Sequence, residues 1–259
     1  MALDDSTSHN KTAALPRPDL SILIPAWNER ANLELLIPAL KDVIRKIGLT
    51  AEVIVVDGGS HDGTRETAEK LGARVLDQRE RGYGGAVLTG FASAAAEYIV
   101  TLDADLSHPP VFIEEFWRRR DEAEMLIASR YVPGGRAEMS RFRQFLSIIL
   151  NRTYRRLLSL PVQDVSSGFR MYSRAAVIGL KPLARDFDFQ EEILILIYNR
   201  GGRVMEVPFH YMPRATGQSH AKLIKFGLAY TRTLWRMLKL RRAADSKTVR
   251  ATSGTRGRP

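Results

Sequence analysis

Short apolar runs alternate with longer amphipathic segments over the first half of the chain. Leu20–Ile24 is an apolar run closed by Pro25, and apolar residues then recur at helical spacing from Asn28 to Lys46. The same alternation predicts further buried strands at 52–56, 73–76, 98–102 and 125–128, and further helices at about 62–71, 82–96 and 109–121. Strands and helices that alternate in this way predict an α/β fold with a mostly parallel, Rossmann-like sheet flanked by helices.

The pattern changes after Arg130. Apolar residues mixed with arginines predict a helix at 139–160, and the rest of the chain predicts a loop and strand at 164–172, a helix at 190–200, a strand at 203–207 and a long helix at 221–240. In the long helix the basic residues fall within an arc of about 100°. This distribution is typical either of a helix packed on its own domain or of an interfacial membrane helix with Trp235 at the headgroup level.

One domain over residues 19–240 is expected, with a polar, disordered leader at 1–18 and a disordered basic tail at 241–259. The leader has no apolar segment of the kind found in signal peptides. Ser60 or Asp62 is expected to cap the helix that follows the turn after the second strand.

The charge is unevenly distributed. The 259 residues carry a net charge of +10, yet residues 214–259 hold 12 Lys and Arg with one acidic residue, so the rest of the chain is close to neutral. This end therefore predicts an anionic partner, a membrane surface or nucleic acid. Aromatic residues do not alternate with the basic ones, which argues against a nucleic-acid partner.

The composition also limits the chemistry and the location. Cysteine is absent, which excludes disulfides, thiolate metal sites and a cysteine nucleophile. No uncharged stretch reaches the ~18 apolar residues that a membrane span requires. We expect a cytoplasmic protein that associates peripherally with the cytoplasmic face of a membrane.

Acidic residues follow two of the predicted strands. Asp57 follows the second strand and Asp103 the fourth, so both are expected at the edge of the sheet where ligands bind. In an extended segment Asp103, Asp105 and Ser107 would point to one side and face one cation. Oxygen ligands of this kind suit Mg²⁺ or Mn²⁺ on a nucleotide diphosphate.

Other polar motifs give weaker signals. The glycine turn at 82–85 is better explained as a tight connection than as a phosphate cradle. The histidines are too scattered for a zinc site, and structural roles are expected for them. Candidate partners for anionic groups are Arg130, Arg143, Arg170 and Arg214.

An ordered set of short motifs carries a family resemblance from about Leu20 to Leu240. The motifs are Pro25-Ala-Trp-Asn-Glu29, Val56-Asp-Gly-Gly-Ser60, Asp103-Ala-Asp-Leu-Ser-His-Pro-Pro110, Ser129-Arg-Tyr131, Ser167-Gly-Phe-Arg170, Phe189-Gln-Glu-Glu192, Glu206-Val-Pro208 and Arg214-Ala-Thr-Gly-Gln-Ser219. Together they resemble the family-2 glycosyltransferases of GT-A fold, and within them the dolichol-phosphate mannose synthase group, whose members act on polyprenyl phosphates.

The resemblance implies inverting transfer of a sugar, usually mannose from GDP-mannose, to a polyprenyl or dolichyl phosphate. It implies a nucleotide-sugar site of Pro25, Trp27, Glu29, Asp57, Asp103 and Arg214, a metal site of Asp103, Asp105 and Ser107, and an acceptor-phosphate site of Arg130, Arg143 and Ser147. Asp103, Asp105 and Arg130 would be the catalytic residues. Arg170, Gln190, Glu192 and Ser219 match motif positions whose roles are less defined.

Physical chemistry agrees with a phosphate acceptor. A phosphate monoester has a second pKa of about 6 and is already a dianionic nucleophile near neutral pH. It needs no strong general base, but it must be held next to an anionic donor. A divalent cation and several arginines meet that requirement.

Departures from the family pattern leave alternatives open. Gly58 stands where a second acidic residue is common, which weakens a preference for guanine over uracil. One alternative is that UDP-glucose or another nucleotide sugar is the donor. A second is that the acceptor is a soluble molecule, and a third is that the protein binds nucleotide sugars without catalysis. Because no apolar C-terminal span exists, membrane contact would come from amphipathic interface helices or from a small membrane subunit.

Overall fold

The computed structural model describes residues 17–212 and 230–239. The described strands are β1 (Leu20–Ala26), β2 (Ala51–Asp57), β3 (Arg74–Asp77), β4 (Tyr98–Thr101), β5 (Met125–Ser129), β6 (Arg136–Ala137), β7 (Arg170–Ser173), β8 (Val204–Pro208) and β9 (His210–Tyr211). The helices are α1 (Arg30–Lys46), α2 (Thr64–Lys70), α3 (Tyr83–Ser93), α4 (Phe112–Arg118), α5 (Arg141–Leu157), α6 (Arg174–Val177) and α7 (Phe189–Asn199), and residues 230–239 are also helical.

Seven strands form one sheet in the order β3-β2-β1-β4-β7-β5-β8. Its pairs are parallel except those of β7, which runs antiparallel between β4 and β5. A second sheet pairs β6 with β9 over two residues each. The mostly parallel α/β sheet is thus confirmed, whereas the β6–β9 pair was not predicted because two residues are too short for a periodic signal.

Alternate residues of the central strands pack on opposite faces of the sheet. Leu20 and Ile22 of β1 belong to a core shared with α1, α2 and α4, whereas Leu23 belongs to the core shared with α3, α5 and α7. In α3, a Cβ at Gly90 would lie 1.9 Å from Leu23, so only glycine allows this close approach. The result is a three-layer domain with helices on both faces of the sheet.

The boundaries of α2 (Thr64–Lys70) and α5 (Arg141–Leu157) lie slightly inside the predicted helices at about 62–71 and 139–160. The residue before α2 is Gly63, with φ of +89°, and not Ser60 or Asp62. The Asp62 carboxylate instead accepts the Thr64 N–H at 3.0 Å from just outside the helix. Of the long helix predicted at 221–240, residues 230–239 are described and helical. The rest of it, the disordered tail predicted at 241–259 and residues 1–16 of the leader lie outside the described residues.

Candidate functional site

A cavity of about 540 Å³ opens at the carboxyl ends of β1, β2 and β4. It brings together residues that the sequence placed in three separate motifs. Its lining residues are Pro25, Ala26, Trp27, Glu29, Gly58, Gln78, Gly82, Tyr83, Ala86, Asp103, Ala104, Asp105, Asp186 and Phe187. We call it the donor cavity, because Pro25, Trp27, Glu29 and Asp103 are expected from the family resemblance to bind the sugar donor.

The loops after β1 and β2 are tied together beside this cavity. Ser60 Oγ accepts the Asn28 N–H at 2.8 Å, and Thr64 Oγ1 accepts the Glu29 N–H at 2.9 Å. These bonds fix the backbone that carries Trp27 and Glu29. Asp57 pairs with Ala26 in the sheet, and its carboxylate accepts the Ser60 N–H at 3.2 and 3.3 Å. It therefore closes the turn that presents Gly58 to the cavity.

Asp103 and Asp105 both line the cavity. They lie in a turn after β4, and not in the extended segment that the sequence predicted. β4 ends at Thr101, and Leu106 has a φ of +63°. His108 Nδ1 accepts the Asp103 N–H at 3.0 Å, and the ring stacks on Phe169 with centroids 4.8 Å apart. The histidine thus has the structural role expected from the sequence.

Ser107 does not reach the cavity, which corrects its prediction as a metal ligand. Its side chain is fully buried, and its N–H and its hydroxyl both donate to Asp105 Oδ1, at 3.1 and 2.5 Å. It orients the Asp105 carboxylate from behind. The turn at Leu106 is the physical reason, because it breaks the two-residue alternation that would have placed all three side chains on one side.

The floor of the cavity holds an aromatic pair that the sequence analysis missed. Tyr83 stacks on Phe187 with centroids 5.0 Å apart, and Gln190 Nε2 donates to the Tyr83 hydroxyl at 2.7 Å. Burial and the nearby Asp103 carboxylate raise the pKa of Tyr83 well above its usual value. The sequence feature that could have indicated this pair is the position of Tyr83 inside a glycine-rich turn.

The glycine turn is a tight connection, as predicted. The Gly84 and Gly85 N–H groups donate to the Arg185 carbonyl at 2.7 and 3.4 Å, so both already have a protein partner. A Cβ at Gly85 would lie 2.0 Å from the Glu80 carbonyl oxygen. Close packing therefore explains the glycines.

A second cavity of about 460 Å³ lies beside Arg130 and between β6, β9 and α5. It is lined by Arg130, Gly135, Arg136, Ala137, Glu138, Gln144 and His210, and we call it the arginine cavity. Arg130 forms a bidentate ion pair with Asp164, with Nε–Oδ2 and Nη2–Oδ1 distances of 2.7 Å, and donates to Ser166 Oγ at 2.9 Å. Burial disfavours the charge, but Asp164 outweighs it and raises the pKa of Arg130.

Polar residues of α5 continue this network. Asn151 Nδ2 donates to the Ser147 carbonyl at 2.8 Å, and Asn151 Oδ1 accepts the Val165 N–H at 2.7 Å. Asn151 Nδ2 also lies 3.3 Å from Ser147 Oγ and 3.5 Å from Ser166 Oγ, so it connects Ser147 to the residue that contacts Arg130. Arg143, in the first turn of α5, is exposed on the helix surface, whereas the adjacent Gln144 lines the cavity.

Glu206, from the Glu206-Val-Pro208 motif, supports the same network. Its Oε1 accepts the Asp164 N–H at 2.8 Å and the Ser129 hydroxyl at 2.6 Å, and its Oε2 accepts the Gln163 N–H at 2.7 Å. Glu206 therefore fixes the segment that presents Asp164 to Arg130. Asp164 itself was missed, because the sequence gives no indication of which acid pairs with which arginine.

Two candidate site residues are structural. Arg170 is fully buried and donates to the carbonyls of Gln190 and Val165 at 2.6 Å each, so it does not serve an anionic ligand. Glu192 is buried as well, and its Oε2 accepts the Ala184 N–H and Arg236 Nη2, both at 2.6 Å. Arg170 thus connects α7 to residue 165, and Glu192 connects α7 to residues 184 and 236.

The segment 164–168 separates the two cavities. Ser166 contacts Arg130 at one end, and at the other end a Cβ on Gly168 would lie 3.6 Å from Asp103 Oδ1. The Thr101 hydroxyl donates to the Gly168 carbonyl at 2.9 Å and ties this end to β4. Arg130 thus lies next to one end of this short segment and Asp103 next to the other. Arg214 and Ser219 lie outside the described residues.

The donor set fits a hard divalent cation. Within 17–212 and 230–239, no group of three or more His, Asp or Glu side chains is arranged to hold a metal. Asp103 and Asp105 would therefore supply two carboxylates, and the other positions would go to oxygens of a bound ligand. Mg²⁺ and Mn²⁺ accept such an incomplete protein shell.

The edge of the sheet thus carries two aspartates in one cavity and a paired arginine in a second, an arrangement that suits charged ligands. The chain belongs to glycosyl transferase family 2, whose model matches residues 21–180. This confirms the family inferred from the motifs.

Two curated relatives are similar over most of this chain. It is 33% identical over 234 residues to a dolichol-phosphate mannosyltransferase of Pyrococcus furiosus, covering 85% of this chain and 64% of that protein. It is 32% identical over 216 residues to a polyprenol monophosphomannose synthase of Mycolicibacterium smegmatis, covering 76% of this chain and 79% of that protein. The chain thus spans just under two thirds of the length of the archaeal relative.

Solved structures confirm the fold. Glucosyl-3-phosphoglycerate synthase from Mycobacterium tuberculosis, in complex with Mn²⁺, UDP-glucose and phosphoglyceric acid, has a TM-score of 0.68 at 21% identity, covering 86% of this chain and 80% of that one. No helix in the described part of this chain is long and apolar enough to cross a membrane.

Proposed function

We propose that the protein transfers mannose, with inversion, from GDP-mannose to a polyprenyl or dolichyl phosphate at a membrane surface, with Mg²⁺ or Mn²⁺ as cofactor. The names of the two curated relatives support the sugar and the acceptor. The observation that carries the proposal is that segment 164–168 contacts Arg130 through Asp164 and Ser166 at one end and comes close to Asp103 through Gly168 at the other. Two anionic substrates would meet across this segment.

In the reaction, an oxygen of the acceptor phosphate attacks the anomeric carbon, the bond from that carbon to the diphosphate breaks, and GDP leaves. The divalent cation, when bound, would neutralise diphosphate charge. Asp103 and Asp105 would hold it, Pro25, Trp27, Glu29 and Asp57 would position the nucleotide, and Arg130, Arg143 and Ser147 would bind the acceptor phosphate. Gln190 would act through Tyr83. Arg214 keeps its predicted role at the donor phosphates, and Ser219 remains a candidate site residue without a defined role.

The rigidity of Arg130 suits this role. Its guanidinium is held in one plane by Asp164 and Ser166, so it presents fixed donors and loses little freedom when a phosphate binds. A phosphate dianion requires alignment and charge neutralisation more than proton removal. Segment 164–168 would then set the distance between acceptor and donor.

The test is transfer from GDP-mannose to a short polyprenyl phosphate with Mn²⁺, with the anomeric configuration of the product read by NMR. Asp105→Asn should lower turnover at least about 100-fold, since one carboxylate cannot hold the cation in place. The matched control is Asp42→Asn, an exposed residue in an ion pair with Arg45. Full activity of the wild type in EDTA, or of Asp105→Asn with Mn²⁺, would refute the metal site.

A second candidate keeps the fold and changes the substrates. The structural relative was solved with UDP-glucose and phosphoglyceric acid, and Gly58 lines the donor cavity where an acidic residue is common in the resembling group. Transfer from UDP-glucose, or to a soluble phosphorylated acceptor, in preference to the proposed pair would establish it.

An apolar face of α5 supports membrane association. Phe142, Phe145, Leu146, Ile149 and Leu157 are exposed, and they fall within an arc of about 120° on the helix. The inward face of α5 carries the polar residues of the arginine cavity. A lipid acceptor whose phosphate reaches Arg130 would leave its hydrocarbon chain close to this face, and neighbouring arginines such as Arg152 suit anionic headgroups.

Vesicles provide the test. Wild type should co-sediment with vesicles that contain anionic lipid, and Phe142→Glu with Phe145→Glu should reduce binding at least fivefold and raise KM for a long-chain acceptor. Activity on a short, water-soluble polyprenyl phosphate should stay the same. Binding that is unchanged by the two substitutions would favour recruitment by a small membrane subunit.

A further inference from the structure

Gln78 lines the donor cavity at the position that Gly58 leaves open. It directly follows β3, and its backbone N–H donates to the Asp57 carbonyl at 3.0 Å, which places it next to the end of β2. A Cβ built on Gly58 would lie 3.0 Å from Gln78 Oε1. The space that a side chain at position 58 would enter is therefore taken by the amide oxygen of Gln78.

The orientation of this amide is fixed by the protein. Gln78 Nε2 donates to the carbonyls of Glu80 and Gly82, both at 2.6 Å. Two carbonyl partners require the NH₂ group on that side, so the oxygen must face the other way, toward Gly58. Gln78 Oε1 is thus a preoriented hydrogen-bond acceptor at the cavity wall.

The sheet order shows which part of a nucleotide this acceptor would meet. Along the carboxyl edge, Gln78 follows β3, Gly58 follows β2, Trp27 follows β1 and Asp103 follows β4, in neighbouring positions. Three strand spacings of ~4.8 Å separate the two ends, about 14 Å. With the diphosphate at Asp103 and Asp105, the base would extend toward Gln78.

We propose that Gln78 reads the base of the donor, with its Oε1 accepting a hydrogen bond from the ring N–H of guanine or uracil. The occupant of the cavity is taken to be the nucleoside diphosphate of the proposed function, on which this assignment rests. Guanine carries this donor at N1 and uracil at N3, whereas the corresponding nitrogens of adenine and cytosine are acceptors. A hydrogen-bond acceptor at this point therefore favours guanine over adenine and uracil over cytosine.

The experiment measures binding of GDP, inosine diphosphate and ADP with Mn²⁺ by titration calorimetry, without acceptor or sugar. Wild type should bind GDP and inosine diphosphate at least about 10-fold more tightly than ADP, and Gln78→Leu should lower this ratio about 10-fold, as expected for one lost hydrogen bond and one unpaired donor. Inosine diphosphate keeps N1–H but lacks the 2-amino group, so it identifies the ring N–H as the donor that is read.

Gly58→Ala separates this role from the support of the 80–82 loop. It leaves the Nε2 anchors in place and displaces Oε1 by a few tenths of an ångström, so it should lower the same ratio in part. Gln163→Leu, outside the donor cavity, is the matched control and should keep the wild-type ratio. Ratios within one variant do not depend on the fraction of folded protein.

Two results would overturn the assignment. One is a wild type that binds ADP as well as GDP and also CDP as well as UDP. The other is a Gln78→Leu variant that weakens all nucleotides equally, which would leave Gln78 only the support of its loop. If UDP binds and GDP does not, the proposed donor is wrong, and the UDP and CDP pair tests Gln78 in the same way.

Discussion

At the scale of single residues, the Arg130–Asp164 pair combines a functional demand with a structural cost. The Arg130 side chain is 12% exposed and the Asp164 side chain 0%. Removing two charges from water is expensive, and the cost is recovered only if both remain fully paired. Asp164, Ser166 and Glu206 supply that pairing, so the arginine stays charged and correctly oriented next to its cavity.

Asp164→Asn should therefore destabilise the fold by about 3 kcal/mol, because it leaves a buried guanidinium facing an amide. The measurement is urea unfolding of Asp164→Asn, Arg130→Met and the double variant. The double variant should lose much less stability than the two single losses added together. Strictly additive losses would show that the pair is not coupled.

The same pair predicts acid sensitivity. Burial opposes ionisation of Asp164, but the Arg130 charge and hydrogen bonds outweigh it and lower the pKa of Asp164 below its usual value. Its contribution to stability is therefore complete above about pH 4 and is lost as the pH falls below that value. The acid unfolding curve of Asp164→Asn should be correspondingly shallower than that of the wild type.

Glu191 behaves in the opposite way. Burial, only partly offset by Arg170, raises the pKa of Glu191 to about 8. Between its ordinary pKa and pH 8 the unfolded chain releases a proton that the native state keeps, so stability falls as the pH rises, by at most about 1.4 kcal/mol per pH unit. Glu191→Gln should flatten this slope and be more stable than wild type at pH 8.

Chemical denaturation at pH 5, 6.5 and 8 measures the Glu191 effect. Glu34→Gln, an exposed residue of α1, is the control and should keep the wild-type slope. A Glu191→Gln slope equal to that of the wild type would mean that Glu191 ionises normally in the folded protein.

Single residues also show where sequence reasoning reaches its limit. Asp103 and Asp105 could be predicted because they follow a buried strand, and the structure shows that both line the donor cavity. Arg170 could not, because a buried arginine that donates to two carbonyls has the same sequence signature as one that binds phosphate. The difference lies in long-range packing, which the local sequence pattern does not indicate.

At the scale of secondary-structure elements, α5 illustrates the same limit. Its apolar and basic residues intermix around the helix, and the sequence alone did not indicate an amphipathic face. The structure shows that the inward face is polar, with Asn151 and Tyr154 buried, while Phe142 and Phe145 are exposed. A helix that serves a polar site on its inner face reverses the usual pattern, and periodicity alone cannot reveal that.

The helical segment 230–239 is held by α5 and by the start of α7. The Tyr154 hydroxyl donates to the Tyr230 carbonyl at 2.6 Å, the Thr233 hydroxyl donates to Asp188 Oδ2 at 2.5 Å, and Arg236 Nη2 donates to Glu192 Oε2 at 2.6 Å. Met237 is fully buried. This supports packing of the segment on its own domain, one of the two possibilities raised by the sequence.

Arg236→Met should cost about 2 kcal/mol, because Glu192 then keeps only backbone partners in a buried place. For a domain of this size that loss lowers Tm by about 4–8 °C. Arg232→Met, at an exposed position of the same segment, is the matched control and should shift Tm by less than about 1 °C. Equal shifts in the two variants would show that the Arg236 contact contributes nothing specific.

At the scale of the whole molecule, two cavities lie at the edge of the sheet, and the proposed function assigns one to the donor and the other to the acceptor. The donor cavity gathers the ends of β1, β2 and β4, and the arginine cavity lies between β6, β9 and α5. The alternating strand pattern predicted the first, since parallel strands bring their carboxyl ends to one edge. The second depends on two-residue strands and on a polar helix face, neither of which has a periodic signature.

This division predicts the pH dependence of the reaction. If the acceptor phosphate is itself the nucleophile, kcat/KM should rise with slope one as its second pKa, about 6, is passed, and should then stay level. His108 is the histidine that follows Asp103 and Asp105 in the sequence. Its Nδ1 already accepts the Asp103 N–H, and its ring is buried against Phe169. We therefore expect the substrate, and not the protein, to set the lower limb of the profile.

A change of acceptor distinguishes the two sources of that limb. A phosphonate analogue of the polyprenyl phosphate has a higher second pKa, so its kcat/KM profile should move to higher pH, while the profile of GDP-mannose binding stays in place. If the lower limb of the kcat/KM profile stays at the same pH with the phosphonate, the titrating group belongs to the protein. In that case a general base would be at work, which would favour a hydroxyl acceptor over a phosphate.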